Sequence, residues 1–326
     1  MNFVSMLRYR DYYNENNKKE NVLLLGDGFF ARGFLHNINR TKFNITQIYK
    51  DEFINPQDLM YSLQRNQKFD KSFHFRDFFY KSVDKKIKED IKSMELQNNC
   101  GNQNILINNE MYNYDHLVVG LGSHKTLADW KDNINSFINK KNISIAVVGM
   151  GPTGYEFASI MAKNNIINMF DMLPKDKVLN YVSPQNKEKL LKLIDEKKIN
   201  TIYEKAFNPK DYFHSEFLMC VGNKPNNLTI HLKVDDFLMS DKNIYVGGDC
   251  VNNNKFIKTG QVAYQQGAYV AKRLNGDIDM TEPFVYKHSG TAVNIGDKKV
   301  LIEGHNFLPD GNYPDFFIKF YSMMFV

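Results

Sequence analysis

Residues 143–161 read ISIAVVGMGPTGYEFASIM: a short apolar run, a glycine-rich turn, then a segment able to continue as a helix. Residues 21–35, NVLLLGDGFFARGFL, show the same order about 120 residues earlier. An apolar run that stops at glycines and resumes with helical character reads as strand, turn and helix. The apolar segments FNITQIYK (43–50) and NIINMFD (165–171) follow the two helices, as the second parallel strand of a βαβ unit should. Two complete βαβ units are therefore expected, in a mixed α/β chain with two nucleotide-binding halves.

The glycine spacing gives each half a chemistry. Gly149, Gly151 and Gly154 form GxGxxG directly after a strand, and Asp171 ends the next strand, 20 residues beyond Gly151. The first glycine permits the tight turn, the second lets backbone approach a pyrophosphate, and the helix N-terminus supplies N–H groups and a favourable dipole. A carboxylate at Asp171 can accept both ribose hydroxyls of NADH and would repel the 2′-phosphate of NADPH; as a bare residue it could also be a surface acid. Gly26, Gly28 and Ala31 form the weaker GxGxxA. No acid ends the strand after it: Tyr49 and Lys50 stand there and Asp51 follows, so ribose recognition in this half is either shifted or absent. In NIYVGGDCV (243–251), Asp249 follows a strand and two glycines and precedes a helix-like stretch beginning near Thr259. That placement suits a hydroxyl-bearing chain such as ribityl, and equally a plain turn.

A length of 326 residues suits two domains, and 43% hydrophobic content is ample for buried cores. The net charge of +5 is spread along the chain, without the concentrated basic face that nucleic acid requires. Cys100, Cys220 and Cys250 are odd in number and far apart, which excludes a disulfide framework and any CxxC pair and suits a reducing compartment. No apolar run approaches a membrane span, and Asp11, Glu15 and Glu20 lie where a signal or transit peptide avoids acids. KKIKEDIK (85–92) alternates charge as a solvated face does. Asn108-Asn109 joins two apolar stretches as a β-hairpin leading into a buried strand that ends at Gly120-Leu121-Gly122. Leu190, Leu191 and Ile194 mark residues 185–198 as an amphipathic helix. His74, His116, His214 and His231 have no metal-ligand spacing.

Several segments together resemble the type II NADH dehydrogenases, single-chain flavoprotein NADH:quinone oxidoreductases of the pyridine nucleotide-disulfide oxidoreductase superfamily. They are YDHLVVGLGS (114–123), VVGMGPTGYEFA (147–158), CVGNKPN (220–226), IYVGGDC (244–250), KTGQVAYQQGAYVAK (258–272) and PFVYKHSGTAVNIGD (283–297). The resemblance implies two Rossmann-like dinucleotide-binding domains, a small antiparallel β-meander and a short C-terminal segment. The FAD-binding domain would be discontinuous, over 20–123 and 215–280, with an NADH-binding domain over 141–214 and a segment 281–326 near the flavin and quinone. It implies FAD and NADH as cofactors. Gly26, Gly28 and Ala31 would cradle the FAD pyrophosphate, with Gly122, Gly248, Asp249 and Val262 also on that cofactor. Gly149, Gly151, Gly154 and Asp171 would hold NADH, with Gly222 closing that side. Glu156 would sit beside the nicotinamide and flavin, Gln261 and Gln265 would point at the quinone headgroup, and Lys287, next to His288, would lie near both. Disulfide reductases of the superfamily pass electrons to a nearby cysteine pair; none exists here, so the acceptor must come from outside.

The chain also departs from that pattern. Only 25 residues separate Gly122 from Val148, the NADH unit is short, and Gly260 replaces the usual Ala before Gln261. The chain stops soon after residue 297, where the family continues with membrane-seating helices. FFIKFYSMMFV (316–326) suits a short interfacial remnant as well as an aromatic tail packed on the core. The expected protein is soluble or peripheral on the cytoplasmic side of a membrane, with weak membrane contact through that tail and compatible with a homodimer. Two other readings stay open: NADH oxidation with a different acceptor, as in relatives resembling apoptosis-inducing factor, and a nucleotide-binding regulator or scaffold with little turnover.

Overall fold

The computed structural model describes residues 19–52, 56–68, 83–99, 102–123, 127–211, 216–221, 226–229, 231–251, 256–288, 292–297 and 300–302. In chain order they begin with β1 (Glu20–Leu25), α1 (Phe29–Asn37), β2 (Phe43–Tyr49), α2 (Pro56–Gln64) and β3 (Lys85–Lys88). Next come β4 (Met94–Asn99), β5 (Asn102–Ile107), β6 (Glu110–Asn113), β7 (His116–Val119) and α3 (Leu127–Ser136). Then follow β8 (Ser144–Val148), α4 (Pro152–Met161), β9 (Ile166–Phe170), α5 (Pro184–Glu196), β10 (Asn200–Ile202) and β11 (Glu216–Met219). The last are β12 (Met239–Asp241), β13 (Ile244–Val246), α6 (Gly260–Asn275), β14 (Ala292–Asn294) and β15 (Val300–Ile302). Both expected βαβ units are present.

One compact unit gathers the described residues of 1–53, 75–124 and 224–286. Its sheet runs β12-β13-β7-β1-β2-β3, with β13, β7, β1, β2 and β3 parallel and β12 antiparallel at one edge. Strand β1 is buried on both faces, as a central parallel strand is. Val22 and Leu24 join Phe30, Phe34, Ile45, Val270 and Ala271 on the helical side. Leu23 and Leu25 join Ile105, Ile107, Tyr114 and Leu117 on the side of the antiparallel sheet β4-β5-β6. That sheet is the expected meander, and its tight turn at Asn108 and Asn109 has φ of 48° and 70°, the positive pair that a type I′ hairpin demands. KKIK forms the edge strand β3, exposed along most of its length, so the charge run does lie on a solvated face.

Helices α1 and α6 approach each other closely enough to exclude side chains. A Cβ on Gly33 would stand 1.9 Å from the Tyr264 carbonyl oxygen, and one on Gly267 would stand 1.9 Å from that of Phe30. Helix α6 starts at the expected place, where Thr259 Oγ1 accepts the Val262 N–H. It ends at Gly276, whose φ of 79° suits a left-handed C-terminal residue.

The second unit gathers the described residues of 54–74, 125–223 and 287–326. Its parallel sheet runs β10-β9-β8-β11. Ile145 and Val147 of β8 pack with Leu59 and Leu63 of α2, Ile134 and Phe137, and Phe157 and Ala158 of α4. Helix α5 confirms the amphipathic reading: Ser183 caps it, Pro184 opens it, and Leu190 and Ile194 are buried.

The boundaries differ from those expected. Strand β11 pairs with β8, so the second unit runs past 214, and residues 281–286 stay with the first unit. Helix α2, expected within 20–123, packs with α3 and α4 in the second unit because its apolar face, Leu59, Met60 and Leu63, fits that core. Among the described residues, no helix is long and apolar enough to cross a membrane. The segment 316–326 lies outside the described residues.

Gly267→Ala should destabilise the chain by about 1–3 kcal/mol, because a methyl group has to push α1 and α6 apart. Urea unfolding monitored by circular dichroism measures this, and an unchanged midpoint would contradict the helix contact.

Candidate functional site

In the second unit the loop after β8 is shaped by its glycines. Gly149 has φ of +102° and donates its N–H to the Phe170 carbonyl at 2.7 Å. A Cβ there would stand 2.7 Å from the Cys220 carbonyl oxygen, and one on Gly154 would stand 2.0 Å from that of Gly149. Gly151 is the N-cap of α4 in an extended conformation, and among the described residues a Cβ on it would meet nothing within 4 Å. Among the described residues no side chain caps that helix, and no acid occupies its first turn. Backbone N–H groups at such a helix start can meet an anion. Asp171 lies beside it with both carboxylate oxygens engaged: Oδ2 accepts the Met150 N–H at 2.7 Å and Oδ1 the Leu173 N–H at 2.9 Å. Two backbone N–H bonds thus fix the carboxylate against the loop. Gly222 lies outside the described residues.

The first unit repeats this geometry. Gly26, with φ of +108°, donates its N–H to the Ile48 carbonyl at 2.8 Å, and a Cβ on it would stand 2.2 Å from the Gly120 carbonyl oxygen. Gly28 is the extended N-cap of α1, and among the described residues no side chain caps it and nothing lies within 4 Å of a Cβ position. Ala31 is fully buried in the helical core. Gln47, fully buried on β2, donates its Nε2 to the Gly26 carbonyl at 2.8 Å and to Asp27 Oδ1 at 3.1 Å.

The segment Gly247-Gly248-Asp249 lies in the same unit, after β13. Gly248 has φ of +75° and donates its N–H to Gln266 Oε1 at 2.7 Å, which holds the turn that presents Asp249. A cleft opens here between Gly248, Asp249, Lys258, Thr259, Val262 and Gln266. Lys258 Nζ donates to the Asp249 carbonyl at 3.1 Å. Gly122, at the end of the neighbouring β7, has φ of +72° and open space at its Cβ position. Val262 is buried with its N–H on the Thr259 cap, so that amide already has a partner within the chain. Gln261 and Gln265 lie one turn apart on α6, both half-buried, and Gln261 Oε1 accepts the Tyr286 hydroxyl at 2.6 Å. Cys250 is fully buried, its thiol directed at the Gly247 and Val119 carbonyls, and burial pushes its pKa up from 9.0 to about 11.

Glu156 is buried within the second unit at 3% exposure, and its Oε1 accepts the Asn294 N–H at 2.9 Å. The Asn294 side chain accepts the Gly296 N–H and donates to Gln64 Oε1, so residues from α2, α4 and β14 share one polar network. Burial, then the Glu156 charge, holds the Tyr181 phenol well above its ordinary pKa. Lys287 is exposed.

The structure thus brings Gly149, Gly151, Gly154 and Asp171 together in one unit, and Gly26, Gly28, Gly248 and Asp249 into the other. Sequence reasoning missed Gln47, Gln266 and Asn294. Gln266 directly follows Gln265, and only its place on the buried face of α6 distinguishes it. A Cβ on Gly260 would lie 2.7 Å from the Phe29 ring.

Residues 20–267 match the family described as pyridine nucleotide-disulphide oxidoreductase. The chain is 24% identical over 260 residues to the mitochondrial external NADH-ubiquinone oxidoreductase 2 of Saccharomyces cerevisiae, a match covering 55% of this chain and 46% of that one. The chain therefore spans about half the length of this curated relative. It is 21% identical to a probable NADH dehydrogenase of Dictyostelium discoideum, covering 88% of this chain and 81% of that one. The structure of NDH2 from Plasmodium falciparum in complex with NADH superposes with a TM-score of 0.65 at 16% identity, over 95% of both chains, which shows a shared fold.

With Cys100 and Cys220 replaced by Ser, the native chain should resist alkylation by a maleimide at pH 8. Cys250 is sealed from solvent and keeps its proton until about pH 11, whereas the thiolate is the nucleophile. Mass spectrometry before and after unfolding measures this, and rapid labelling of the native chain would contradict the burial.

Proposed function

The chain belongs to the pyridine nucleotide-disulphide oxidoreductase family, and on that premise we propose that it is a FAD-dependent NADH dehydrogenase that delivers electrons to a quinone. One observation carries the reading: two βαβ units in one chain, each with a helix N-terminus that no described side chain caps after a glycine turn, with a strand-end carboxylate beside the second. Two cradles suit two dinucleotides. The absence of any closely spaced cysteine pair in the sequence directs the electrons to an external acceptor.

The residues of the first unit fit FAD. Gly26 turns the chain, Gly28 leaves room where a pyrophosphate would approach, and the first turn of α1 presents its N–H groups there. Asp249, held on its turn by Gln266, offers a carboxylate to a hydroxyl-bearing chain. When bound, FAD supplies a centre that accepts two electrons from a hydride donor and releases them to an acceptor. In the second unit, Gly149, Gly151 and Gly154 take the pyrophosphate of NADH and Asp171 takes its ribose hydroxyls. The backbone bonds at Asp171 keep its charge in place against a 2′-phosphate, which favours NADH over NADPH. Glu156 serves the nicotinamide side of this unit, its carboxylate oriented by the Asn294 N–H.

Gln261 and Gln265 supply the amides for the quinone. Tyr286 fixes the orientation of Gln261 by donating to its carbonyl oxygen, and Gln265 follows one turn later. Lys287, next in sequence to Tyr286, adds a cation for the acceptor side. A peripheral place at a membrane surface, through residues 316–326, belongs to the same proposal.

Stopped-flow measurement of the two half-reactions tests this function. Gln265→Leu should slow reoxidation of the reduced protein by a soluble quinone roughly three- to tenfold, the worth of one hydrogen bond, while reduction by NADH stays near wild type. Equal slowing of both half-reactions, or of neither, would reject the glutamine pair as the acceptor site. Wild-type protein that NADH cannot reduce would favour a regulator or scaffold.

A further inference from the structure

The two units share a backbone register, and within it one charge changes place. Gly26 matches Gly149 in φ, +108° against +102°, and in its N–H bond to the neighbouring strand, 2.8 Å to Ile48 against 2.7 Å to Phe170. Asp27 then corresponds to Met150, Gly28 to Gly151 and Tyr49 to Asp171. In the second unit the carboxylate stands at the strand end and reaches the middle of the loop, where it accepts the Met150 N–H at 2.7 Å. In the first unit the strand ends in Tyr49, whose ring faces Lys86 Nζ at 5.7 Å, and the carboxylate stands on the loop, at Asp27.

Gln47 completes the exchange. From the strand that ends at Tyr49 it reaches the loop, giving Nε2 to Asp27 Oδ1 at 3.1 Å and to the Gly26 carbonyl at 2.8 Å. Its own Oε1 is buried and has no hydrogen-bond partner among the described residues. An unpaired buried acceptor is costly, and such groups persist where function requires them. Gln47 therefore serves the loop, turning the Asp27 carboxylate toward β2. A carboxylate inside an anion cradle would oppose a pyrophosphate unless it were turned aside in this way.

We propose that Asp27, positioned by Gln47, reads the ribose hydroxyls in the adenosine half of the dinucleotide held by the first unit, the task that a strand-end carboxylate performs in the second. Both positions border the same spot. In the second unit the strand-end carboxylate touches the loop's middle N–H, so a carboxylate carried on that middle residue and held toward the strand stands beside the same hydroxyls. The inference rests on the reading of the first unit as an FAD site.

The test is flavin binding by the full chain, stripped of flavin and titrated with FAD or with FAD whose adenosine carries a 2′-deoxyribose. Binding is followed by flavin fluorescence rather than by turnover. Wild type should prefer FAD by roughly ten- to hundredfold, the worth of a charge-assisted hydrogen bond. Asp27→Asn, which keeps an oxygen for Gln47, should lower FAD affinity by a similar factor and abolish the preference. Asp51→Asn, the next acid beyond the strand end, should leave both unchanged. Equal binding of the two flavins by wild type overturns the proposal. So does a preference that survives Asp27→Asn, one that Asp51→Asn removes, or tighter FAD binding by Asp27→Asn. A wild-type chain that binds neither flavin would instead reject the FAD reading of the first unit.

Discussion

The carbonyl oxygen of Gly120 lies 2.2 Å from where a Cβ on Gly26 would be, and the Cys220 carbonyl oxygen lies 2.7 Å from the same position on Gly149. Neither loop could carry a side chain there, and both glycines hold positive φ that an L-residue rarely adopts. This close approach of loop to neighbouring strand end places the next glycine, Gly28 or Gly151, as an N-cap with open space over it. Among the described residues the two helices that begin there have no side-chain cap, whereas α5 and α6 have Ser183 and Thr259. First-turn N–H groups need partners. On the proposed reading a ligand meets those N–H groups at α1 and α4, whereas α5 and α6 meet theirs from within the chain.

The first cradle is completed by residues distant in sequence. Phe30 fills the space that a Cβ on Gly120 or Gly247 would need, at 2.5 Å and 2.0 Å from its ring atoms, and the Phe29 ring does the same at Gly260. Small and large positions are thus exchanged across three elements: aromatic bulk on α1 is matched by glycine after β7, after β13 and at the start of α6. Such cores tolerate large side chains only where their neighbours give way in volume. The same packing brings Asp249 into the unit that holds Gly28, with Gln266 fixing the turn.

The periodic features were legible in the sequence, because local pattern dictates them. The βαβ units, the Asn108-Asn109 hairpin, the amphipathic α5 and the beginning of α6 near Thr259 all follow from hydrophobic period and turn residues, whereas the Ser183-Pro184 start of α5 emerged only with the structure. Strand β11 was harder to place, since EFLM is too short to declare its sheet; only its pairing with β8 does so. Helix α2 likewise carries no mark of the core it joins. Gln266, Gln47 and Asn294 act through side-chain or backbone hydrogen bonds to residues 18 to 138 positions away. No local spacing encodes such contacts. The missing strand-end acid of the first unit was visible, whereas the Asp27 carboxylate held by Gln47 required the fold.

The cradles themselves can be tested by a methyl group that the folded chain accommodates and a bound pyrophosphate would not. Gly28 and Gly151 have negative φ and no atom of the described residues within 4 Å of a Cβ position, so Ala at either should leave the thermal midpoint near wild type. Gly28→Ala should lose bound flavin, seen as loss of absorbance near 450 nm, while Gly151→Ala should keep its flavin but no longer be reduced by NADH under anaerobic conditions. Full flavin retention by Gly28→Ala, or reduction of Gly151→Ala by NADH at the wild-type rate, would contradict the assignment of one dinucleotide to each unit.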